Sequence, residues 1–306
     1  MSSRPYESKL GIVTGGSRGI GASVARRLAA KGCNLLLVYT SDSSTQPTKE
    51  LSVELSAAYA VHIHSVQADL RNPAAASRSI LTAAKALFAS YQQVEDAHFQ
   101  VDILINNAGV SSNQHLNDKD VGPIDPTEFD RVYTINVLAP LLLMQIVAPH
   151  LPTDRSGRIV TVSSVSSSIG YQGQSVYAGS KAAVEAMTRV WSRELAERAT
   201  VNAVNPGPAW GDMYEKAGPK FWNINQPYVD VAPLASYHGE KTVRALAGSD
   251  ADANKFDKLV RESMKSRRPG FTIEIAGTID MLCSAESGWT TGSVICANGG
   301  MRMSIA

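Results

Sequence analysis

Tyr177 and Lys181 stand four residues apart in a stretch of helical periodicity, Val176 to Arg198, which puts a phenol and an ammonium on one face within reach of a shared ligand. Such groups exchange protons and hydrogen bonds with a polarised oxygen. The spacing alone decides little, because Tyr237 and Lys241 repeat it. What separates the first pair is Ser164, thirteen residues upstream of Tyr177 at the end of the predicted strand Arg158 to Ser163. Strand ends of an open parallel sheet are where ligand-contacting groups sit. Tyr237 has Ile224 at the corresponding offset.

A second constellation lies near the start of the chain. Thr14-Gly15-Gly16-Ser17-Arg18-Gly19-Ile20-Gly21 follows a buried run, Leu10 to Thr14, and opens a helix. Glycines there let the backbone approach a pyrophosphate, and the helix start presents free N–H groups to it. Glycine also serves ordinary strand-to-helix turns, so the context carries the reading. Arg18 suits the extra 2′-phosphate of NADP(H). The end of the second predicted strand, Val38-Tyr39-Thr40-Ser41, has no carboxylate where NAD-preferring folds hold the ribose hydroxyls, and Asp42 comes slightly later.

These groups are positioned by a regular alternation of elements. Short β-branched or leucine-rich runs at Leu10–Thr14, Leu35–Tyr39, Ile63–Gln67, Val101–Ile105, Arg158–Ser163 and Thr200–Asn205 alternate with amphipathic stretches. The helical stretches are the one after the glycine loop, closed by Gly32, then Glu50–Ala60, Ala74–Tyr91, Pro126–Leu151 and Val176–Arg198, with Thr40–Thr48 read as a loop. That rhythm predicts an α/β fold, a parallel sheet with crossover helices. After Asn205 roughly 65 residues pass before the final pair, Ile273–Ala285 and Ser293–Ala297, a connection long enough to read as a functional lid. Its first part concentrates Trp210, Met213, Tyr214, Phe221, Trp222 and Tyr228, which either line a substrate or pack a small core of their own.

Taken together the chain resembles the short-chain dehydrogenase/reductase family, of the NADP(H)-preferring ketone or ketoacyl reductase type. The resemblance rests on the glycine loop Thr14 to Gly21, the turn Asn106-Asn107-Ala108-Gly109, Asn136, the set Ser164, Tyr177 and Lys181, and the exit Asn205-Pro206-Gly207, with Asn298-Gly299-Gly300 echoing the family's ending. It implies a single doubly wound Rossmann domain over 1–306, with a central parallel sheet of about seven strands and a substrate-lid insertion at 208–270. It also implies Tyr177 as general acid, Lys181 as the ammonium that lowers the phenol's pKa and holds the nicotinamide ribose, Ser164 as the donor to the substrate oxygen, and Asn136 as the holder of a water leading to solvent. The NADP(H) cradle would comprise Gly15, Ser17, Arg18, Gly19, Ile20, Gly21, Tyr39, Thr40, Ser41, Asp69, Leu70, Asn107, Ala108, Gly109, Tyr177, Lys181, Pro206 and Gly207. Asp69 would meet the adenine, with loop capping as its simple alternative, and Asn106 would tie strands together. One departure is Gly211, where the family commonly carries a threonine that helps hold the cofactor; Asp212 or backbone N–H groups are the available substitutes. The family's dimers and tetramers form through the two long helices, whose Val137, Leu141, Val184 and Met187 either face a partner or the sheet.

Bulk composition narrows the alternatives. A net charge of +1 from 29 basic and 28 acidic residues offers no field to hold nucleic acid or an anionic membrane. Cys33, Cys283 and Cys296 lack paired spacing, and the six histidines form no ligand pattern, so reduced thiols and no metal are expected. The polar start, Met1 to Lys9, is no secretion signal, and the apolar run Val137 to Ala148 reads as too short to span a bilayer, which leaves the cytoplasm. The expected activity is NADPH-dependent reduction of a small-molecule ketone, bulky and apolar or aromatic if the lid aromatics line the site. The alternatives are a fatty-acyl chain on a carrier protein, docked through Lys265, Arg267 and Arg268, and a cofactor-binding protein with a non-redox or regulatory role.

Overall fold

The computed structural model describes residues 4–92 and 98–303, except for the side chains of Asp212, Met213, Lys216, Ala217 and Lys220. Seven parallel strands form the central sheet: β1 (Leu10–Thr14), β2 (Asn34–Tyr39), β3 (Ile63–Gln67), β4 (Ile103–Asn106), β5 (Gly157–Val162), β6 (Ala199–Pro206) and β7 (Val294–Ala297). Their order across the sheet is β3-β2-β1-β4-β5-β6-β7. The order reverses between β1 and β4, and in such a sheet the crevice outside the carboxyl ends at that reversal is the ligand site. β1, β2, β4, β5 and β6 are buried along their whole length, as the unbroken apolar runs require of strands covered on both faces.

Helices α1 (Gly19–Ala30), α2 (Thr45–Tyr59) and, near the end of the chain, Thr272–Cys283 cover one face. Val24, Leu28, Leu51, Leu55, Ile275 and Ile279 pack there against Val13, Leu35, Leu37 and Ile105. The other face carries α3 (Pro73–Tyr91), α4 (Pro126–Tyr133), α5 (Ala139–Val147) and α6 (Ser175–Glu194), through Ile80, Leu87, Ile135, Leu143, Val147 and Trp191. Each such side chain contributes roughly 1.5–3 kcal/mol by leaving water. α2 begins at Thr45, inside the stretch expected to be loop, because Pro47 falls in the first turn, where a missing N–H costs nothing. Pro126–His150 is long and apolar enough to cross a bilayer by length and composition, which corrects the expectation drawn from its apolar run alone. It nevertheless lays Val132, Ile135, Ala139, Leu143, Met144 and Val147 into the protein core.

The 208–270 segment is not an open connection. It contains α7 (Asp212–Asp230), broken at Gly218 where φ is +74°, and α8 (Asp250–Ser263). α9 (Thr272–Cys283) follows it. Tyr214, Trp222, Tyr237, Phe256 and Phe271 close a core of their own, with Trp210 and Phe221 packed partly buried against it. Trp222 Nε1 donates to the Tyr214 carbonyl at 2.7 Å. Most of the aromatics therefore stabilise the segment itself. Its attachment to the sheet domain runs through a second cluster, Val165, Tyr171, Val229, Ala232, Ala235 and Met301.

Candidate active site

Ser164 follows β5, Tyr177 and Lys181 lie on the first turns of α6, and Asn136 sits in a π turn, Thr134–Leu138, between α4 and α5. The extra residue of that turn aims Asn136 inward rather than along the helix. Its Oδ1 accepts from Val110 N at 2.9 Å, while its Nδ2 donates to Val110 O at 2.9 Å and to Ser180 Oγ at 3.0 Å. Lys181 is buried, and its Nζ donates to the Val162 carbonyl at 2.8 Å, 5.8 Å from the centre of the Tyr177 ring. Gly109 is packed so closely that a Cβ there would lie 3.3 Å from Lys181 Nζ and 3.2 Å from Asn136 Oδ1. Ser164 Oγ accepts from Ser166 N and donates to Ser166 Oγ, both at 3.2 Å, and Ser166 Oγ in turn donates to Gln174 Oε1 at 2.6 Å. The four residues expected to do chemistry thus converge on one end of the sheet. The Tyr237–Lys241 pair does not, since the Tyr237 hydroxyl is buried against Asp257.

The expected dinucleotide residues line the same edge. Gly15, Ser17, Arg18, Gly19, Ile20 and Gly21 make the β1–α1 turn, and Tyr39, Thr40 and Ser41 end β2. Asp69 and Leu70 follow β3; Asn107, Ala108 and Gly109 follow β4; Pro206 and Gly207 end β6. Thr14 and Asn107 stitch two of these turns together. Thr14 Oγ1 accepts from Asn107 N at 2.9 Å and Ala108 N at 3.0 Å, and Asn107 Nδ2 donates to Thr14 O at 2.8 Å and Gly15 O at 3.2 Å. No side chain caps α1, so the first-turn N–H groups remain free to donate to a diphosphate, and a Cβ on Gly19 would meet open space. The residues fit a dinucleotide.

The short chain dehydrogenase family profile matches residues 9–220. The chain is a member of that family. It is 69% identical over 304 residues to an L-xylo-3-hexulose reductase of Hypocrea jecorina, covering 99% of each chain. It is 53% identical to an L-xylulose reductase of Aspergillus niger, over 98% of this chain and 99% of that one. Among solved structures it is similar to a blue fluorescent protein from a metagenomic library in complex with NADPH, with a TM-score of 0.76, 28% identity, and coverage of 98% and 100% of the two chains. This dehydrogenase is accordingly an oxidoreductase acting at CH–OH and C=O groups, and the non-redox alternative falls away.

Several side chains of the dehydrogenase have partners that the sequence does not show. Asp69 pairs with Arg71 at 2.7 Å and accepts from Arg71 N at 3.0 Å, so it caps its loop, and that pairing holds its carboxyl below the usual range. Asn106 ties no strands by its side chain. Both of its polar atoms, and Thr161 Oγ1, are buried without a protein partner, and both residues line a cavity of about 10 Å³ bounded also by Asn136 and Lys181. A space of that size and polarity suits one water. Arg268 is buried and forked onto Glu274 at 2.8 and 2.9 Å, which removes it from any docking surface. Among the described residues no group of three or more His, Cys, Asp or Glu is placed to hold a metal ion, and all three cysteines are free thiols.

The resemblance implied that Lys181 lowers the phenol's pKa, but burial dominates at Tyr177 and the lysine does not lower it. Burial raises the Tyr177 phenol above its ordinary 10.0, with the Ser164 hydroxyl acting to lower it. Burial brings Lys181 down to about 8, against the opposing pull of Glu185. Glu185 is the residue that the sequence reading missed: a buried carboxylate one turn beyond Lys181, accepting from Ser163 Oγ at 2.6 Å, Ser167 Oγ at 2.7 Å and Asn205 Nδ2 at 3.2 Å. Its signal was a charge on the stripe shared by Lys181, Val184, Thr188 and Trp191, all of which face inward.

Gly211 has φ 163° and ψ 177°, extended backbone open to any residue, and a Cβ there would meet only Thr272 Cγ2, at 3.4 Å. The Asp212 side chain, one substitute for the lost hydroxyl, lies outside the described residues. Gly211→Thr is therefore expected to fold normally and to tighten cofactor binding about 5- to 10-fold, the worth of one hydrogen bond of about 1 kcal/mol. Fluorescence titration of NADPH checks it, and unchanged or weaker binding refutes it.

Proposed function

We propose that the enzyme uses NADPH to reduce the keto group of an open-chain, polyhydroxylated ketose. The carrying observation is the set of polar groups beside Ser164. Gln174, buried, accepts from Ser166 Oγ and donates to Asn113 Oδ1 at 2.7 Å, while the aromatics of the 208–270 lid are engaged largely with one another. Hydroxyls on the substrate's other carbons can exchange hydrogen bonds with such a lining, which a hydrophobic ketone cannot do. The ketose reductases at 69% and 53% identity support the same reading. NADPH as cofactor is supported by the exposed Arg18 beside the diphosphate turn, by the missing carboxylate after Tyr39, and by the NADPH carried by the structural relative.

In this reading Ser164 Oγ donates to the substrate oxygen and Tyr177 Oη supplies the proton, with Lys181 Nζ holding positive charge beside the phenol and Asn136 leading to the water-sized cavity. When bound, the nicotinamide supplies the hydride. The chain works in a reducing cytoplasm, consistent with its free thiols. It assembles as a dimer or tetramer through α4, α5 and α6, where Phe129, Leu138, Leu141 and Val190 stay exposed while Val184 faces the core.

The bulky aromatic ketone is the second reading, favoured by Trp210 and Phe221, which are only partly buried. Following NADPH absorbance with L-xylulose, L-xylo-3-hexulose and a panel of aryl ketones separates the two. Turnover of a ketose, faster with NADPH than with NADH, is expected. Silence on both ketoses with turnover of an aryl ketone refutes the proposal.

A further inference from the structure

Five serines crowd one turn behind the site, and two of them reach a buried acid. The turn Ser163 to Ser168 carries Ser164, and its hydroxyls do not all bond within the turn. Ser163 Oγ and Ser167 Oγ reach across to the carboxylate of Glu185 on α6, and Ser163 Oγ also lies 3.3 Å from the Lys181 carbonyl. Asn205, at the end of β6, bonds through one Nδ2 to Ser164 O at 2.7 Å, to Ser167 Oγ at 3.1 Å and to Glu185 Oε1 at 3.2 Å. Asn205 Oδ1 accepts from Asn298 Nδ2 at 3.3 Å, and Asn298 Oδ1 accepts from Gly300 N and Arg302 N. One carboxylate oxygen is thus the common acceptor for the strand end before Ser164, the turn after it and the neighbouring strand.

We propose that Glu185 is a positioning residue of the catalytic site, fixing the Ser164 turn against the helix that carries Tyr177 and Lys181. The inference rests on reading Ser164 and Lys181 as working groups of the reaction. A buried carboxylate is retained only where its acceptor capacity is used, and this one is used three times on one oxygen. A hydrophobic residue of similar size would fill the volume but leave Ser163 Oγ only the Lys181 carbonyl at 3.3 Å and Ser167 Oγ only the Ser164 carbonyl at 2.9 Å, neither of which ties the turn to residue 185; an amide would keep an acceptor oxygen and lose the charge.

The charge has a second effect. The titratable groups that feel it are Lys181, one turn earlier on the same helix, and the Cys296 thiol on β7, which burial first and the carboxylate next hold up. The partners contributed by the β5 end, its turn and β6 are hydroxyls and an amide. Burial draws the Lys181 ammonium down toward neutrality and Glu185 opposes it. Removing the negative charge lowers the lysine's pKa further. The protonated lysine then disappears at a lower pH, so the alkaline limb of the rate profile moves toward acid.

The test compares Glu185→Gln with the wild type on whichever carbonyl the wild type reduces, over about pH 6 to about pH 10. The expected result is a kcat lower by about 10- to 100-fold, as a misplaced working group gives, with KM for NADPH unchanged and the alkaline limb displaced to lower pH. Glu185→Leu should lose as much or more; if that variant fails to fold, the glutamine variant still decides. A kcat within about twofold of wild type overturns the proposal. A lower kcat with the alkaline limb in place also overturns it, because a structural defect alone would give that result. Failure of the substrate reading shows separately, in the wild-type panel, and failure of the site reading shows in the Tyr177 variant.

Discussion

Replacing Tyr177 by phenylalanine is expected to lower kcat by about 10²- to 10⁴-fold, the usual contribution of a positioned general acid, or roughly 3–5 kcal/mol of barrier. The change removes one oxygen and leaves the ring. The Lys181 ammonium stays on the Val162 carbonyl and remains 5.8 Å from the ring centre, so the cofactor end of the site keeps its shape. The phenol is the group whose proton can move: burial keeps it protonated at neutral pH, and the neighbouring Ser164 hydroxyl draws its pKa back down. Tyr177→Phe should therefore bind NADPH like the wild type and hold its melting temperature within a few degrees. Steady-state rates and fluorescence titration on one preparation check both halves. Undiminished turnover would sink the proton-donor role, and lost NADPH binding would show that the hydroxyl is a cofactor contact before it is an acid.

Much of this was legible in the sequence because the relevant forces are local. β1, β2 and β4 follow from short runs whose burial on both faces leaves no polar alternation to misread. The strand ends then fix where Ser164, Asn107 and Pro206 stand. What escaped were features set by contacts distant in the chain. Asn136 was marked only by the family resemblance, and its π turn and its pairing with Val110, 26 residues away in the chain, come from the structure. Glu185 drew no notice in the sequence, because its partners arrive from the ends of β5 and β6.

The 208–270 segment was opaque for a different reason. Gly218, Pro219 and Pro227 punctuate α7; the helix does break at Gly218, where φ is +74°, but resumes and runs on through Pro227, a residue that in sequence argues against a helix. Its aromatics carried an ambiguous message about substrate, since Tyr214, Trp222 and Phe256 serve equally well as core or as pocket lining. Packing resolves it in favour of core: Phe256 is fully buried, with its ring centre 4.7 Å from that of Phe271 and 5.3 Å from that of Trp210.

The other large effect is expected at the helix start rather than at the reacting groups. A Cβ on Gly21 would lie 2.9 Å from the Gly15 carbonyl carbon and 2.6 Å from Asn107 Nδ2, and deeper still into the Gly15 carbonyl oxygen. Backbone on one side and the Asn107 stitch on the other cannot yield, because Asn107 Nδ2 is itself bound to Thr14 O and Gly15 O. Gly21→Ala must push α1 away from the loop by about 1 Å to restore ordinary contact. Overpacking of that kind costs about 1–3 kcal/mol of stability. The cost to binding should be larger, since the N–H groups of the α1 start and the Gly15 turn must converge on one diphosphate, and a displacement of that size is worth about 10²-fold. The expected result is a folded protein whose Kd for NADPH is weaker by about two orders of magnitude, with kcat at saturating cofactor reduced far less. Isothermal titration with NADPH measures it. Affinity within threefold of wild type would mean that α1 does not hold the diphosphate, and the cofactor crevice would have to be sought elsewhere along the sheet edge.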